Sequence, residues 1–141
     1  MLRTVWMDHL NPDAAELRQE VFTLEQGFKE EEDVDQIDSW AHNLTIYDDD
    51  IAVATARVFL EQGSTYHVGR LCVKQTHRSK GLGSLALTLC KEKALSLGAT
   101  KLRLGAQYDK ADFYIKNGYK VESPDYFDDG GYLHVYMYMD L

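Results

Sequence analysis

The segment Arg78-Ser79-Lys80-Gly81-Leu82-Gly83-Ser84 has the composition of a loop that binds phosphate. A strand-like run ends before it at Val73, and a long amphipathic helical pattern follows it. A helix that begins directly after such a loop presents unpaired backbone N–H groups and the positive end of its dipole to an anion. Glycine suits the loop because a Cβ would keep the backbone away from the ligand. We therefore expect residues 79–84, with the charge of Arg78, to hold a phosphate or diphosphate group.

The charge distribution favours the same interpretation. The chain has a formal net charge of -8, yet residues 63–91 contain no Asp or Glu and five cations: Arg70, Lys74, Arg78, Lys80 and Lys91. The net charge disfavours a nucleic-acid partner, whereas the local cations indicate a site for a smaller anion. Neither Gly-x-x-x-x-Gly-Lys-[Ser/Thr] nor Gly-x-Gly-x-x-Gly occurs, which argues against a nucleotide hydrolase or a dehydrogenase.

Length and composition predict one domain that spans residues 1–141. The chain is 45% hydrophobic and 11% aromatic, so it can form a packed core. No apolar run is long enough for a signal peptide or a membrane span, and we expect a cytoplasmic protein that has no membrane partner. Cys72 and Cys90 lack metal-ligand spacing. We expect both to be buried, and we expect no metal site.

The periodicity predicts a mixed α/β protein. Asn11-Pro12 is a helix start, and the helix should run to about Glu25. A second helix should begin at Gly81 and end at Gly98, and a third, shorter helix should cover Asp109–Lys116. Strands are predicted at Arg3–Trp6, Ala41–Tyr47, Ile51–Phe59, Tyr66–Val73, Lys101–Leu104 and Tyr132–Met139. The acidic stretch Lys29–Asp38 is predicted to be a loop that could contain one helical turn, and the segment Ser123–Gly131 is predicted to be a loop.

Several ordered blocks of the sequence resemble the GNAT N-acetyltransferase superfamily, and more narrowly its ElaA-like and YjcF-like branch. Arg78-x-x-Gly81-x-Gly83 matches the phosphate loop [Gln/Arg]-x-x-Gly-x-[Gly/Ala] of the superfamily. Residues 18–26 (RQEVFTLEQ) are similar to the R-x-x-V-F-x-x-E-Q block of that branch, and residues 113–119 (FYIKNGY) resemble its last helix. Gln107 stands where many members have Asn, and Gly27-Phe28 replaces the Cys-Pro of some ElaA-like sequences. The resemblance covers nearly the whole chain.

The resemblance implies a fold, an activity and a set of coenzyme contacts. The fold would be a central mixed, mostly antiparallel sheet of six to seven strands flanked by about four helices. The activity would be transfer of an acetyl group from acetyl-CoA to a primary amine by direct attack on the thioester. Coenzyme contacts would come from the end of the fourth strand, the phosphate loop and the last helix: Leu71, Cys72, Val73, Arg78, Ser79, Lys80, Gly81, Leu82, Gly83, Ser84 and Tyr114. Tyr114 would also protonate the departing sulfur, although an aromatic residue at a helical position is often only part of the core.

Two residues compete for the role of general base. Glu25 ends the first helix and is the Glu of the Glu-Gln pair that resembles the branch. His134 lies on the polar face of the last strand. Histidine changes its charge near neutral pH, which suits proton transfer. His42 and Asp38 are weaker candidates. The acids of residues 30–35 could attract a cationic amine or could form only a solvated loop.

The sequence leaves two further alternatives open. The chain could be a non-catalytic acetyl-CoA sensor that partners another protein, although the presence of Tyr114, Glu25 and His134 favours an enzyme. It could be a monomer or a homodimer, because the long alternating strand Tyr132–Met139 could pair between subunits. Tyr126 and Phe127 could form a mobile wall beside the acceptor.

Overall fold

Seven strands form one sheet in the order β1-β2-β3-β4-β5-β7-β6, as the predicted class requires. The computed structural model describes all 141 residues. Every neighbouring pair is antiparallel except β4 and β5, which are parallel. The strands are β1 Leu2–Met7, β2 His42–Asp48, β3 Ile51–Gln62, β4 Thr65–Val73, β5 Lys101–Gln107, β6 Lys120–Asp129 and β7 Tyr132–Asp140.

Four α-helices accompany the sheet: α1 Pro12–Arg18, α2 Glu30–Asp33, α3 Leu82–Ser96 and α4 Ala111–Lys116. Short 3₁₀ turns lie at Gln36–Ser39, Gln75–His77 and Tyr108–Lys110. The Asn11 side chain caps α1 by accepting a hydrogen bond from the Asp13 N–H at 3.0 Å. The predicted first helix does reach Glu25, but its second half, Gln19–Glu25, is π-helical. None of the helices combines the length and the apolar composition that crossing a bilayer demands.

The two faces of the sheet are covered by different helices. On one face, Leu44 and Ile46 of β2 belong to a core of 19 buried residues that includes Leu87 and Cys90 of α3. On the opposite face, Leu17 and Val21 pack against Cys72. Side chains alternate between faces along a strand, so Cys72 meets the first helix while its neighbours Leu71 and Val73 pack toward the α3 core. Both cysteines are buried, as predicted.

The parallel strands β4 and β5 separate after a short paired stretch. Only Thr65–His67 of β4 pairs with Lys101–Arg103 of β5. The remaining residues of the two strands, 68–73 and 104–107, have no partner across this gap. A wedge-shaped opening therefore lies in the middle of the sheet, and it separates β1 to β4 from β5 to β7.

The predicted loop Ser123–Gly131 is wrong for most of its length, because residues 120–129 form the edge strand β6. The Ser-Pro-Asp sequence at 123–125 is typical of a turn. Here the register between β6 and β7 shifts between Val121 and Tyr126, and this irregularity accommodates Pro124 on the sheet edge. Only Gly130 and Gly131, both at positive φ, make the turn.

The acidic stretch is not a solvated loop, since two of its carboxylates are buried. Arg18 has no exposed side-chain area, and it donates to Asp33 at 3.2 Å and to Asp38 at 2.8 and 3.0 Å. Arg57 donates to Asp38 at 3.0 Å and to Asp35 at 2.7 Å. Burial disfavours the charged form of Asp38, but Arg18 and Arg57 outweigh burial and lower its pKa to about 2. The network fastens residues 30–39 to α1 and β3.

Candidate active site

The phosphate loop has free backbone donors. None of the N–H groups from Ser79 to Ser84 donates a hydrogen bond within the chain, and no side chain caps the start of α3. Ser79 and Gly81 adopt positive φ values of 63° and 81°. A Cβ on Gly81 would meet no atom of the chain within 4 Å, so the space beside this glycine is open. The loop therefore offers a concave row of unpaired donors at the positive end of a 15-residue helix.

Arg78 lies beside this row, but a carboxylate already holds its guanidinium group. Its Nη1 and Nη2 donate to Glu25 at 2.7 and 2.8 Å, and its Nε donates to the Val73 carbonyl at 3.0 Å. The hydrogen bonds from Arg78 lower the pKa of the Glu25 carboxyl group. Lys74 pairs with Glu20 in the same way at 2.9 Å. The predicted cationic patch is thus partly neutralised by acids from a distant part of the sequence.

Two cavities meet at the opening between β4 and β5. The first, which we call the loop cavity, has a volume of about 540 Å³ and includes the phosphate loop and the end of β4. Among its lining residues are most of the coenzyme contacts expected from the sequence: Leu71, Cys72, Val73, Arg78, Ser79, Gly81, Leu82, Gly83, Ser84 and Tyr114. Lys80 follows Ser79 in the loop but does not line the cavity.

The second cavity, which we call the aromatic cavity, has a volume of about 270 Å³. Rings contributed by the π-helical segment, the residues after it, α4, β6 and β7 line it: Phe22, Phe28, Tyr114, Phe127 and Tyr136. Four residues line both cavities, namely Gln26, Leu71, Lys110 and Tyr114. A molecule in one cavity would therefore touch a molecule in the other at these four side chains.

Tyr114 lies at this junction. Its ring packs edge-on against Phe113 at a centroid distance of 5.1 Å and against Tyr119 at 6.0 Å. Burial raises the pKa of its hydroxyl group well above the ordinary value. A phenol with a raised pKa keeps its proton, so Tyr114 is placed and protonated as a proton donor would have to be.

His134 faces the aromatic cavity with only 7% of its surface exposed. Its Nδ1 lies 2.8 Å from the Tyr132 carbonyl oxygen, which can only accept a hydrogen bond, so Nδ1 carries a proton. In the neutral imidazole the other nitrogen, Nε2, is then an acceptor. The Phe127 ring packs against the imidazole at 5.4 Å and limits its movement.

The other candidate bases are less well placed. Glu25 lines neither cavity, and both of its carboxylate oxygens accept hydrogen bonds from Arg78. Asp38 is committed to Arg18 and Arg57. His42 begins β2 and lines neither cavity. The structure therefore brings Tyr114 and His134 to one cavity and leaves the other three outside it.

A β-bulge shapes the wall between the two cavities. Arg70 has a positive φ of 52°, and the register between β3 and β4 shifts at this point. Left-handed backbone costs a non-glycine residue about 1 kcal/mol or more. The Arg70 side chain compensates by donating to the carbonyl oxygens of Asp33 at 3.0 Å and Glu32 at 3.3 Å. The acidic stretch thus holds β4 in its bent form.

Gln26, Lys110 and His67 are among the cavity residues that were not predicted from the sequence. Gln26 accepts a hydrogen bond from Gln107 at 2.9 Å, a contact across 81 residues that no local pattern reveals. Lys110 lines both cavities and has no ion-pair partner. His67 lines the aromatic cavity and pairs with Glu61 at 2.8 Å, and burial lowers its pKa. Gln26 was the most accessible to sequence reasoning, because it belongs to the Glu-Gln pair of residues 25 and 26.

The chain is similar to known proteins over nearly all of its length. It is 34% identical over 128 residues to the uncharacterized N-acetyltransferase YjcF of Bacillus subtilis (strain 168), with 91% of each chain covered. Its fold matches Escherichia coli ElaA with a TM-score of 0.87 at 22% identity, covering 99% of this chain and 100% of the other. It also matches a Bacillus subtilis acetyltransferase solved in complex with CoA, with a TM-score of 0.78 at 18% identity, covering 100% and 99%.

The family assignment rests on the sequence itself. The model of the Acetyltransferase (GNAT) family matches residues 6–119, a span that contains the phosphate loop, the β4–β5 opening and Tyr114. His134 and β7 lie beyond the matched span, where the fold comparisons still align the chain. The chain therefore belongs to the GNAT family of acetyltransferases.

Proposed function

We propose that this protein transfers the acetyl group of acetyl-CoA to a primary amine. The observation that carries the proposal is the row of six unpaired N–H groups at residues 79–84, which opens onto a cavity continuous with the β4–β5 gap. A family relationship alone gives the reaction class. The row of donors and the shared junction support separate places for the two substrates, which would meet at Tyr114.

The loop cavity fits a coenzyme of this shape and charge. Residues 79–84 would bind the diphosphate through their N–H groups, and the helix dipole of α3 adds to this attraction. Leu71 and Val73 of β4 would flank the pantetheine arm, and Val73 is a candidate N–H donor to the thioester carbonyl. Arg78 would exchange part of its contact with Glu25 for the phosphates, because both compete for the same guanidinium donors. Lys80 would add charge at the rim.

The acid and base roles follow from the junction. When bound, acetyl-CoA supplies the acetyl group, which leaves sulfur for the amine nitrogen as a C–N bond forms and a C–S bond breaks. His134, through Nε2, would take the proton that the nitrogen loses and pass it to solvent. Tyr114 would give its proton to the departing sulfur and recover one from solvent. We place Glu25 outside the proton path, since Arg78 lowers its pKa and occupies both of its oxygens.

The proposal is tested by a coupled measurement on the whole protein. Isothermal calorimetry with coenzyme A measures binding, and thiol release from acetyl-CoA in the presence of a broad panel of primary amines measures transfer. We expect binding, and thiol release above the rate of hydrolysis with at least one amine. Tight binding without turnover for any amine would favour the sensor alternative, and absence of binding would remove the coenzyme site altogether.

A further inference from the structure

The aromatic cavity has features that select one kind of amine. Its volume of about 270 Å³ is just below the range of roughly 300–1,000 Å³ that holds drug-sized ligands, so it suits a small acceptor. Phe127 stacks on Tyr136 at a centroid distance of 4.5 Å with 25° between the ring planes. Phe28 stacks on Tyr132 at 5.2 Å with 17° between planes. Phe127 also lies 5.4 Å from the His134 ring, and the Arg103 guanidinium lies 3.8 Å from the centroid of Tyr136, so the faces of these two rings are already covered. The stacked rings are therefore rigid, and an aromatic ligand would pack against their edges.

The cavity walls are held in place by contacts on their outer side. The Tyr132 hydroxyl donates to the Gln26 carbonyl oxygen at 2.7 Å, which ties β7 to the residues that follow the π-helical segment. Gly130 packs so closely against the Phe28 ring that a Cβ there would overlap it. A preformed cavity loses less conformational entropy on binding than a cavity that must form around its ligand. The aromatic cavity can therefore select ligands by their shape.

The charges on the cavity walls oppose an anionic acceptor. Glu32 and Asp129 line the cavity, and neither carboxylate has an ion-pair partner in the chain. The guanidinium group of Arg70 also lines it, but this group is occupied by the carbonyl oxygens of Asp33 and Glu32 and by the Asp35 carboxylate at 3.4 Å. Lys110, the remaining lysine or arginine of the lining, lies at the junction and lines the loop cavity as well. A carboxylate on the acceptor would meet two unpaired negative charges.

We propose that the acceptor is an arylalkylamine, a primary amine joined by a short alkyl chain to an aromatic ring and carrying no carboxylate. This inference rests on the proposed N-acetyltransferase function and narrows its acceptor. The ring lies against Phe127 and Tyr136, and the amine reaches toward Tyr114 and His134. Glu32 and Asp129 attract the ammonium form as it approaches and repel the corresponding amino acid.

Matched pairs of acceptors test each half of the proposal. Tyramine and tyrosine differ only in the carboxylate, and 2-phenylethylamine and n-hexylamine differ in the ring. We expect kcat/KM to be at least 10-fold higher for tyramine than for tyrosine, and at least 10-fold higher for 2-phenylethylamine than for n-hexylamine. We expect tyramine to bind the protein in calorimetry without coenzyme, and tyrosine to bind at least 10-fold more weakly. Equal values within a pair overturn the half of the proposal that the pair tests.

Variants assign the selectivity to named side chains. Glu32→Gln combined with Asp129→Asn should lower the ratio of kcat/KM for tyramine to kcat/KM for tyrosine. Phe127→Leu should lower the corresponding ratio for 2-phenylethylamine and n-hexylamine. Glu92→Gln, on the exposed surface of α3, is the matched control and should change neither. Tyramine that binds while no amine is acetylated contradicts the transfer function but not the ligand class. Acetylation of amino acids or aliphatic amines in preference to arylalkylamines contradicts only the ligand class.

Discussion

Tyr114 is partly buried and Tyr119 is fully buried, and the two tyrosines have different positions. Both hydroxyl groups have raised pKa values because of burial, but only Tyr114 lines the two cavities. The Tyr119 hydroxyl is buried without a hydrogen-bond partner, and its ring is 2% exposed in the α3 core. Substituting Tyr114 and Tyr119 one at a time therefore distinguishes a chemical role of the phenol from a packing role.

Tyr114→Phe should lower kcat by about 100-fold or more, since positioned acids contribute on the order of 10²–10⁴ to a rate. The affinity for coenzyme A, measured by calorimetry, should change little because the ring remains. Tyr119→Phe is the control. It should leave kcat unchanged, and it should raise the free energy of unfolding by about 1 kcal/mol, because it removes an unpaired polar group. Equal kcat values for wild type and Tyr114→Phe would make Tyr114 a packing residue.

His134 and Glu25 are separated by substituting each in turn. His134→Asn keeps a donor for the Tyr132 carbonyl but removes the base, so we expect kcat/KM to fall by about 100-fold. Its affinity for coenzyme A, measured by calorimetry, should change little. Glu25→Gln should keep kcat and should instead raise the affinity for coenzyme A, because it releases Arg78 for the phosphates. A large loss of kcat in Glu25→Gln with an unchanged kcat in His134→Asn would assign the base to Glu25.

The start of α3 is the element on which the coenzyme site depends. Gly81 has a left-handed φ of 81° and open space beside it. Asn and Asp are the non-glycine residues that best tolerate this conformation. Gly81→Asn and Gly81→Asp therefore share shape and backbone strain and differ in charge.

We expect Gly81→Asp to bind coenzyme A at least 10-fold more weakly than Gly81→Asn, because its carboxylate would face the diphosphate. One tenfold step corresponds to about 1.4 kcal/mol, which is a modest repulsion between like charges at close range. Calorimetry gives both affinities, and thermal unfolding of the free proteins checks that the two variants are equally stable. Equal affinities would place the phosphates elsewhere.

The elements were predictable where the signal is local. The Asn11 cap, the glycines of the phosphate loop and the alternation along β7 are short-range patterns, and the structure has a helix, a helix start and a strand at these places. Strand β6 was missed because its pairing with β7 overrides a turn-like Ser-Pro-Asp sequence. The neutralisation of Arg78 was missed because Glu25 lies 53 residues away. Charge counted along the sequence cannot show such pairs.

At the scale of the whole molecule, the buried ion network joins the acidic stretch to α1, β3 and β4. Arg18 lies in it with no exposed side-chain area, between Asp33 and Asp38. The same stretch holds Arg70 at the bulge of β4. Removing one charge leaves its partners buried without compensation, which typically costs about 3–5 kcal/mol.

Asp38→Asn should lower the free energy of unfolding by about 3 kcal/mol at neutral pH, measured by urea denaturation. The pKa of Asp38 is about 2 in the folded chain and lies near 3.8 without these contacts. Its contribution is therefore complete above pH about 4 and is lost as pH falls toward 2. The variant should lack this part of the acid dependence. Asp50→Asn, at an exposed turn, is the control. If Asp50→Asn lowered the free energy of unfolding as much as Asp38→Asn does, the stabilising role of the buried ion network would be contradicted.

The short pairing of β4 with β5 has a consequence for how the protein responds to its ligand. Residues 68–73 and 104–107 are strand edges that lie inside the sheet rather than at its margin. A pantetheine arm carries two amide groups. When bound between these edges, it can accept and donate hydrogen bonds to their main-chain groups, as an added strand would. Whatever binds only the folded chain adds to its resistance to unfolding in proportion to the logarithm of ligand concentration. The coenzyme concentration would then affect the free energy of unfolding of the protein as well as its rate of acetyl transfer.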